Sequence, residues 1–126
     1  MLASRRDLRR NALPDTDHPV YALNLFDVAD ADAYGAYART AAAEVQRHGG
    51  RVVAMGRFHE RVVGEVEARQ VMILVEWESL SAFEGYRDDP DLVDLHSTRE
   101  RGAANYVWML FDRLEDLRPV LGMAQA

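Results

Sequence analysis

Two segments of this chain, residues 71–77 and 105–111, are apolar at odd and even positions alike. In the first, Val71, Ile73, Val75 and Trp77 fall on one parity, and Met72 and Leu74 on the other. In the second, Tyr106, Trp108 and Leu110 oppose Val107, Met109 and Phe111. Successive side chains of a strand point to opposite faces, so a sheet built from these strands must withdraw both faces from water. An antiparallel sheet with helices on one face only should alternate apolar with polar residues. The second face therefore needs its own cover. A second copy of the chain, set sheet against sheet, is the simplest one, and a homodimer through the sheet faces is expected.

The rest of the chain supplies the partners for these strands. Residues 20–26 read as a first strand, held behind Pro19 and released by Asp27. Asp30 is placed to cap a helix from about residue 31 to residue 48, closed by Gly49 and Gly50. Residues 51–62 read as a second strand, with Gly56 marking a bulge or a close backbone approach. Ser79 can cap a short helix directly after the third strand, and Asp89, Pro90 and Asp91 break it and start another. The order β-α-β-β-α-β implies an α+β, ferredoxin-like sandwich, with a four-stranded antiparallel sheet and helices on one face. Residues 19–113 would form this domain, residues 1–18 a flexible extension, and residues 114–126 a short helical or extended tail.

Composition removes several classes of function. With 126 residues, of which 48% are hydrophobic, the chain can bury one core. A net charge of -6 offers no basic field for nucleic acid or an anionic membrane. Arginine supplies all 15 basic residues. There is no cysteine, so disulfides and thiolate chemistry are excluded. The arginine pairs at 5–6 and 9–10 look like an export signal, but Pro14, Asp15 and Asp17 follow where an apolar stretch is needed. No apolar run approaches the ~20 residues of a membrane span. A cytoplasmic protein is expected.

Several local motifs carry a resemblance. The turn Gly49-Gly50-Arg51, the step Glu76-Trp77-Glu78-Ser79-Leu80, and the run Arg99-Glu100-Arg101-Gly102-Ala103-Ala104 resemble the dimeric α/β-barrel superfamily. Within it they are most similar to a bacterial family catalogued as a domain of unknown function. The resemblance covers about residues 20–112. The Glu-Trp-x-Ser step is also similar to antibiotic-biosynthesis monooxygenases, which implies cofactor-free oxygenation of polyphenolic substrates. Asn24, His59 and His96 depart from a plain member of the unknown-function family.

Those departures are the candidate site residues. Asn24 lies mid-strand between Leu23 and Leu25. A buried amide there either faces a ligand carbonyl or phenol, or is satisfied by a neighbour, since leaving it unpaired costs about 1–3 kcal/mol. His59 shares a face with Arg57, Met55 and Arg61. The arginine disfavours the imidazolium, leaving a neutral base suited to an acidic phenolic or α-carbonyl proton, with Arg57 and Asn24 holding the anion. The alternative is a solvated strand end paired with Glu60 or Glu65. His96 and Arg99 lie at helical spacing and could face a cavity, although His96 bonded to Asp91 or Asp94 is the simpler arrangement. Tyr37, Trp77 and Trp108 would wall a planar ligand or fill the core. Glu76, on the Met72 and Leu74 face, needs an arginine, with Arg57 or Arg61 as candidates. The four histidines form no metal-ligand spacing. The expectation is an enzyme without metal or cofactor, a monooxygenase or a cyclase/isomerase, acting on a small aromatic or polyketide-like molecule. The competing class is a non-catalytic binding or assembly protein.

Overall fold

The structure, a computed structural model, describes residues 17–123. Of the expected extension at residues 1–18, residues 1–16 lie outside the described residues, while Asp17 accepts from the Ser81 hydroxyl at 2.7 Å and His18 pairs with Asp112 at 2.5 Å. The elements follow the order Val20–Val28 (β1), Ala31–Arg47 (α1), Gly50–Arg57 (β2), Val71–Trp77 (β3), Leu80–Asp88 (α2), a 3₁₀ turn at Pro90–Leu92, Val93–Gly102 (α3) and Ala103–Asp112 (β4). The four strands form one antiparallel sheet in the order β2-β3-β1-β4. This is the ferredoxin-like α+β fold.

Local chemistry sets the element ends. Asp30 accepts a hydrogen bond from the Ala33 amide at 3.1 Å, and Ser79 one from Ala82 at 3.0 Å, so both act as N-caps. Gly49 ends α1 with φ 93°, a left-handed conformation that glycine adopts without strain. Gly102 closes α3 where a Cβ would lie 2.8 Å from the Tyr34 backbone, so only glycine lets α3 approach α1 this closely. Its carbonyl accepts from Ala29 and Asp30 at 2.9 and 3.3 Å, fastening the start of α1 to the end of α3.

β2 differs from expectation. It stops at Arg57, and residues 58–70 form an irregular, almost wholly exposed connection. The register shift lies between Val52 and Ala54, with Val53 as the extra residue. Gly56 pairs regularly with Met72 and meets only ordinary contacts, so it marks neither a bulge nor a close approach. The tail after β4 forms turns rather than a helix, with Leu121 bonded to Leu117 at 3.0 Å.

The core lies between the sheet and the helices. Val20 and Ala22 of β1 and Val75 and Trp77 of β3 are buried beneath Phe83, Tyr86 and Leu92, and Phe26 is buried against Tyr34 and Tyr106. Full burial of a large apolar side chain is worth about 1.5–3 kcal/mol. The opposite face carries Leu23, Leu25, Met72 and Leu74, all partly accessible, beside Met109 at 42% exposure and Phe111 at 50%. Among the described residues this apolar face lacks a full cover.

Candidate functional site

A cavity of about 430 Å³ lies between α1 and the helix-covered face of the sheet. It exists because small side chains meet there: α1 presents Ala38, Ala41 and Ala42, and β1 presents Ala22. Larger residues at these positions would close the space. The walls are Tyr34 and Tyr37 from α1, Ile73, Val75 and Trp77 from β3, Tyr86 from α2, and Tyr106 and Trp108 from β4. Val52 and Met55, both exposed, place the mouth at β2. The bulge at Val53 is what brings both of these residues to the cavity side.

The polar groups sit in this aromatic shell. Asn24 donates through Nδ2 to the Ile73 carbonyl at 3.2 Å and accepts from the Tyr106 hydroxyl through Oδ1. It therefore both lines the cavity and is satisfied by neighbours. Arg99, only 7% exposed, lies with its guanidinium carbon 4.6 Å from the Trp108 ring centre and 5.2 Å from that of Tyr106. It donates through Nη1 to His96 Nδ1 at 2.9 Å. That bond leaves the His96 proton on Nε2, which faces the Tyr86 carbonyl at 3.4 Å. Burial, reinforced by Arg99, pushes the His96 pKa down and keeps the ring neutral. Burial and the adjacent Tyr37 push the Tyr34 phenol up to about 12. Tyr86 and Tyr106 are pushed higher still, first by burial. These phenols stay protonated at neutral pH and can donate hydrogen bonds.

The structure brings Asn24, Tyr37, Trp77, Arg99 and Trp108 to one cavity. His96 stands behind Arg99 and is not part of the lining. Arg57 and His59 do not join them. Both are exposed, and His59 lies past the end of β2 in the 58–70 connection; Arg57 shares the sheet face of Met55, but neither the expected base nor its arginine lines the cavity. Two pairings also differ from expectation. Glu76 pairs with Arg51 at 2.7 Å and Arg113 at 3.5 Å, because Arg51 is its cross-strand partner. His96 pairs with Arg99 and Tyr86 rather than with Asp91 or Asp94. Sequence reasoning missed Tyr106 and Tyr86 as site residues. Tyr106 shares a parity with Trp108, and Tyr86 follows Phe83 by one helical turn; both signals were present.

Comparison with known proteins places the fold. A family model described as a domain of unknown function (DUF1330) matches residues 19–112. The crystal structure of RPA0582, a protein of unknown function from Rhodopseudomonas palustris, is 22% identical, with a TM-score of 0.72 over 90% of this chain and 96% of that one. SnoaB, a cofactor-independent oxygenase from Streptomyces nogalater, is 22% identical, with a TM-score of 0.56 over 79% and 97%. A putative antibiotic biosynthesis monooxygenase from Bacteroides thetaiotaomicron is 15% identical, with a TM-score of 0.50 over 79% and 91%. At these identities the likeness is one of fold. No curated protein matches the chain. Among the described residues no helix is long and apolar enough to cross a membrane.

Proposed function

Because the chain belongs to the DUF1330 family, whose description assigns no activity, we propose a function from the cavity itself. The reading is a cofactor-independent enzyme, a monooxygenase or a cyclase/isomerase, acting on a small planar aromatic or polyketide-like molecule. The observation that carries it is the cavity of about 430 Å³, walled by tyrosines and tryptophans and holding Asn24, Tyr106 and Arg99. That volume suits a small ligand, and flat rings stack well against such walls.

The chemistry available is stabilisation of a developing oxyanion. Protonated phenols and a guanidinium in an aromatic-walled cavity favour the enolate or phenolate form of a ligand. An electron-rich ring in that form is prone to oxygenation by O₂ or to ring closure. The SnoaB likeness supports the first reaction only as an analogy of fold. The working form would be a cytoplasmic homodimer joined through the apolar sheet face, which the partly accessible Leu23, Leu25, Met109 and Phe111 support. The residue-19 and residue-113 limits of the domain belong to the same proposal.

The test is incubation of the purified chain with hydroxylated naphthalenes and anthrones in air, following oxygen uptake and product absorbance. Turnover above the uncatalysed rate, lost in Asn24→Leu or Arg99→Met, is expected. Binding of these compounds without any turnover would sink the enzyme reading and leave a small-molecule-binding protein.

A further inference from the structure

We propose that the cavity selects an anion: a planar aromatic molecule whose ionised oxygen, a carboxylate or a phenolate, docks on Arg99. This rests on the aromatic-cavity reading above and adds the charge of the ligand. The cavity lining contains two arginines and no Asp or Glu. Arg51 is held by Glu76 at 2.7 Å. Arg99 is buried, and among the described residues no carboxylate lies within ion-pair distance of it. Its neighbours are a neutral histidine and two aromatic rings. These orient the guanidinium without cancelling its charge. Buried charges are ordinarily paired, so an unpaired one in a cavity wall calls for an anion from outside.

The remaining donors agree. Arg99 Nε–H and Trp77 Nε1–H are both buried without an acceptor, and both residues line the cavity. Buried polar groups normally find partners. Asn24 spends its acceptor on Tyr106, and no Asp or Glu lines the cavity, so the lining presents no charged acceptor. A ligand offering acceptors, charged ones most of all, is complementary to it. The planar fork of a guanidinium suits the two oxygens of a carboxylate particularly well.

Calorimetric titration of the full chain tests this with naphthoate and its neutral counterpart naphthamide, which share a ring system. Naphthoate should bind roughly 10- to 100-fold more tightly, the range of a charge-assisted hydrogen bond. Arg99→Met should erase that difference and leave naphthamide binding in place. If the variant fails to fold, the two probes on the unmodified protein decide the matter alone. Para-nitrophenol separates the sources of charge: a lowered apparent pKa on binding supports a phenolate, and an unmoved one with tight naphthoate binding supports a carboxylate. Equal binding of naphthoate and naphthamide overturns the anion inference and leaves the aromatic reading standing. Binding of no probe overturns the aromatic reading, and this inference with it.

Discussion

Asn24 is the single polar side chain that β1 turns toward the helices, set between buried Ala22 and Phe26. Its Oδ1 is the acceptor for the Tyr106 hydroxyl, so the two groups solvate one another in place of water. Replacing Asn24 by Leu strands that hydroxyl, and a stability loss of about 1–3 kcal/mol is expected in urea unfolding. Tyr106→Phe strands the amide in turn. The double variant should lose clearly less than the sum of the two, since neither orphan remains. Strict additivity would show that the pair is not coupled. The sequence marked Asn24 because an amide interrupts an apolar strand. It did not mark Tyr106 as its partner, because that depends on the register that sets Asn24 opposite Trp108. His59 departs from expectation for a related reason: strand parity assigns it a face, but the strand ends two residues before it.

The cavity is a property of α1 as an element. A helix-forming run rich in alanine was legible, and so were its caps, but the empty space beneath Ala38, Ala41 and Ala42 was not. Alanine packs closely when the opposing surface comes near, and leaves a void when aromatic side chains hold the helix away. Only the packing of Tyr34 against Phe26, with ring centres 4.8 Å apart, and the fastening at Gly102 reveal which applies. Ala41→Leu places three further carbons into that space. Leu suits a helix nearly as well as Ala, and the cavity can receive it without forcing the backbone. The variant should unfold at the same temperature as the parent or slightly above it, and should lose binding of aromatic probes. Calorimetric titration beside thermal unfolding checks both halves. A variant that binds normally would place the ligand elsewhere. The break between α2 and α3 is the most legible element boundary, because Asp89, which caps the turn at the Asp91 amide, and Pro90 act through local chemistry alone.

At the scale of the whole molecule, Tyr34, Tyr86 and Tyr106 share one buried region, and each phenol is raised above its ordinary range. Above about pH 10 the unfolded chain releases protons that the folded chain keeps, so stability falls as pH rises through that window. Thermal unfolding followed from about pH 8 to pH 11 should show the fall, and Tyr86→Phe should flatten it. An unchanged slope in that variant would remove Tyr86 from the account. The other whole-molecule property follows from strands that are apolar on both parities. That pattern was readable in β3 and β4 before any coordinate, and the fold sorts it: odd residues of β3 face the helices, while Met72 and Leu74 join Leu23, Leu25 and Met109 on the other side. What the pattern could not supply is the rim, where Arg51 and Arg113 converge on Glu76. This ion-paired edge beside an apolar centre resembles the division between rim and core in protein interfaces. In the proposed dimer the apolar centre is buried by its own copy, so a charge placed there must be desolvated without a partner. Met109→Glu and Phe111→Arg should each convert a dimer into a monomer in light scattering, with the sheet intact by circular dichroism. A monomer in the unmodified protein, at concentrations where such an interface saturates, would mean that something other than a second copy covers this face.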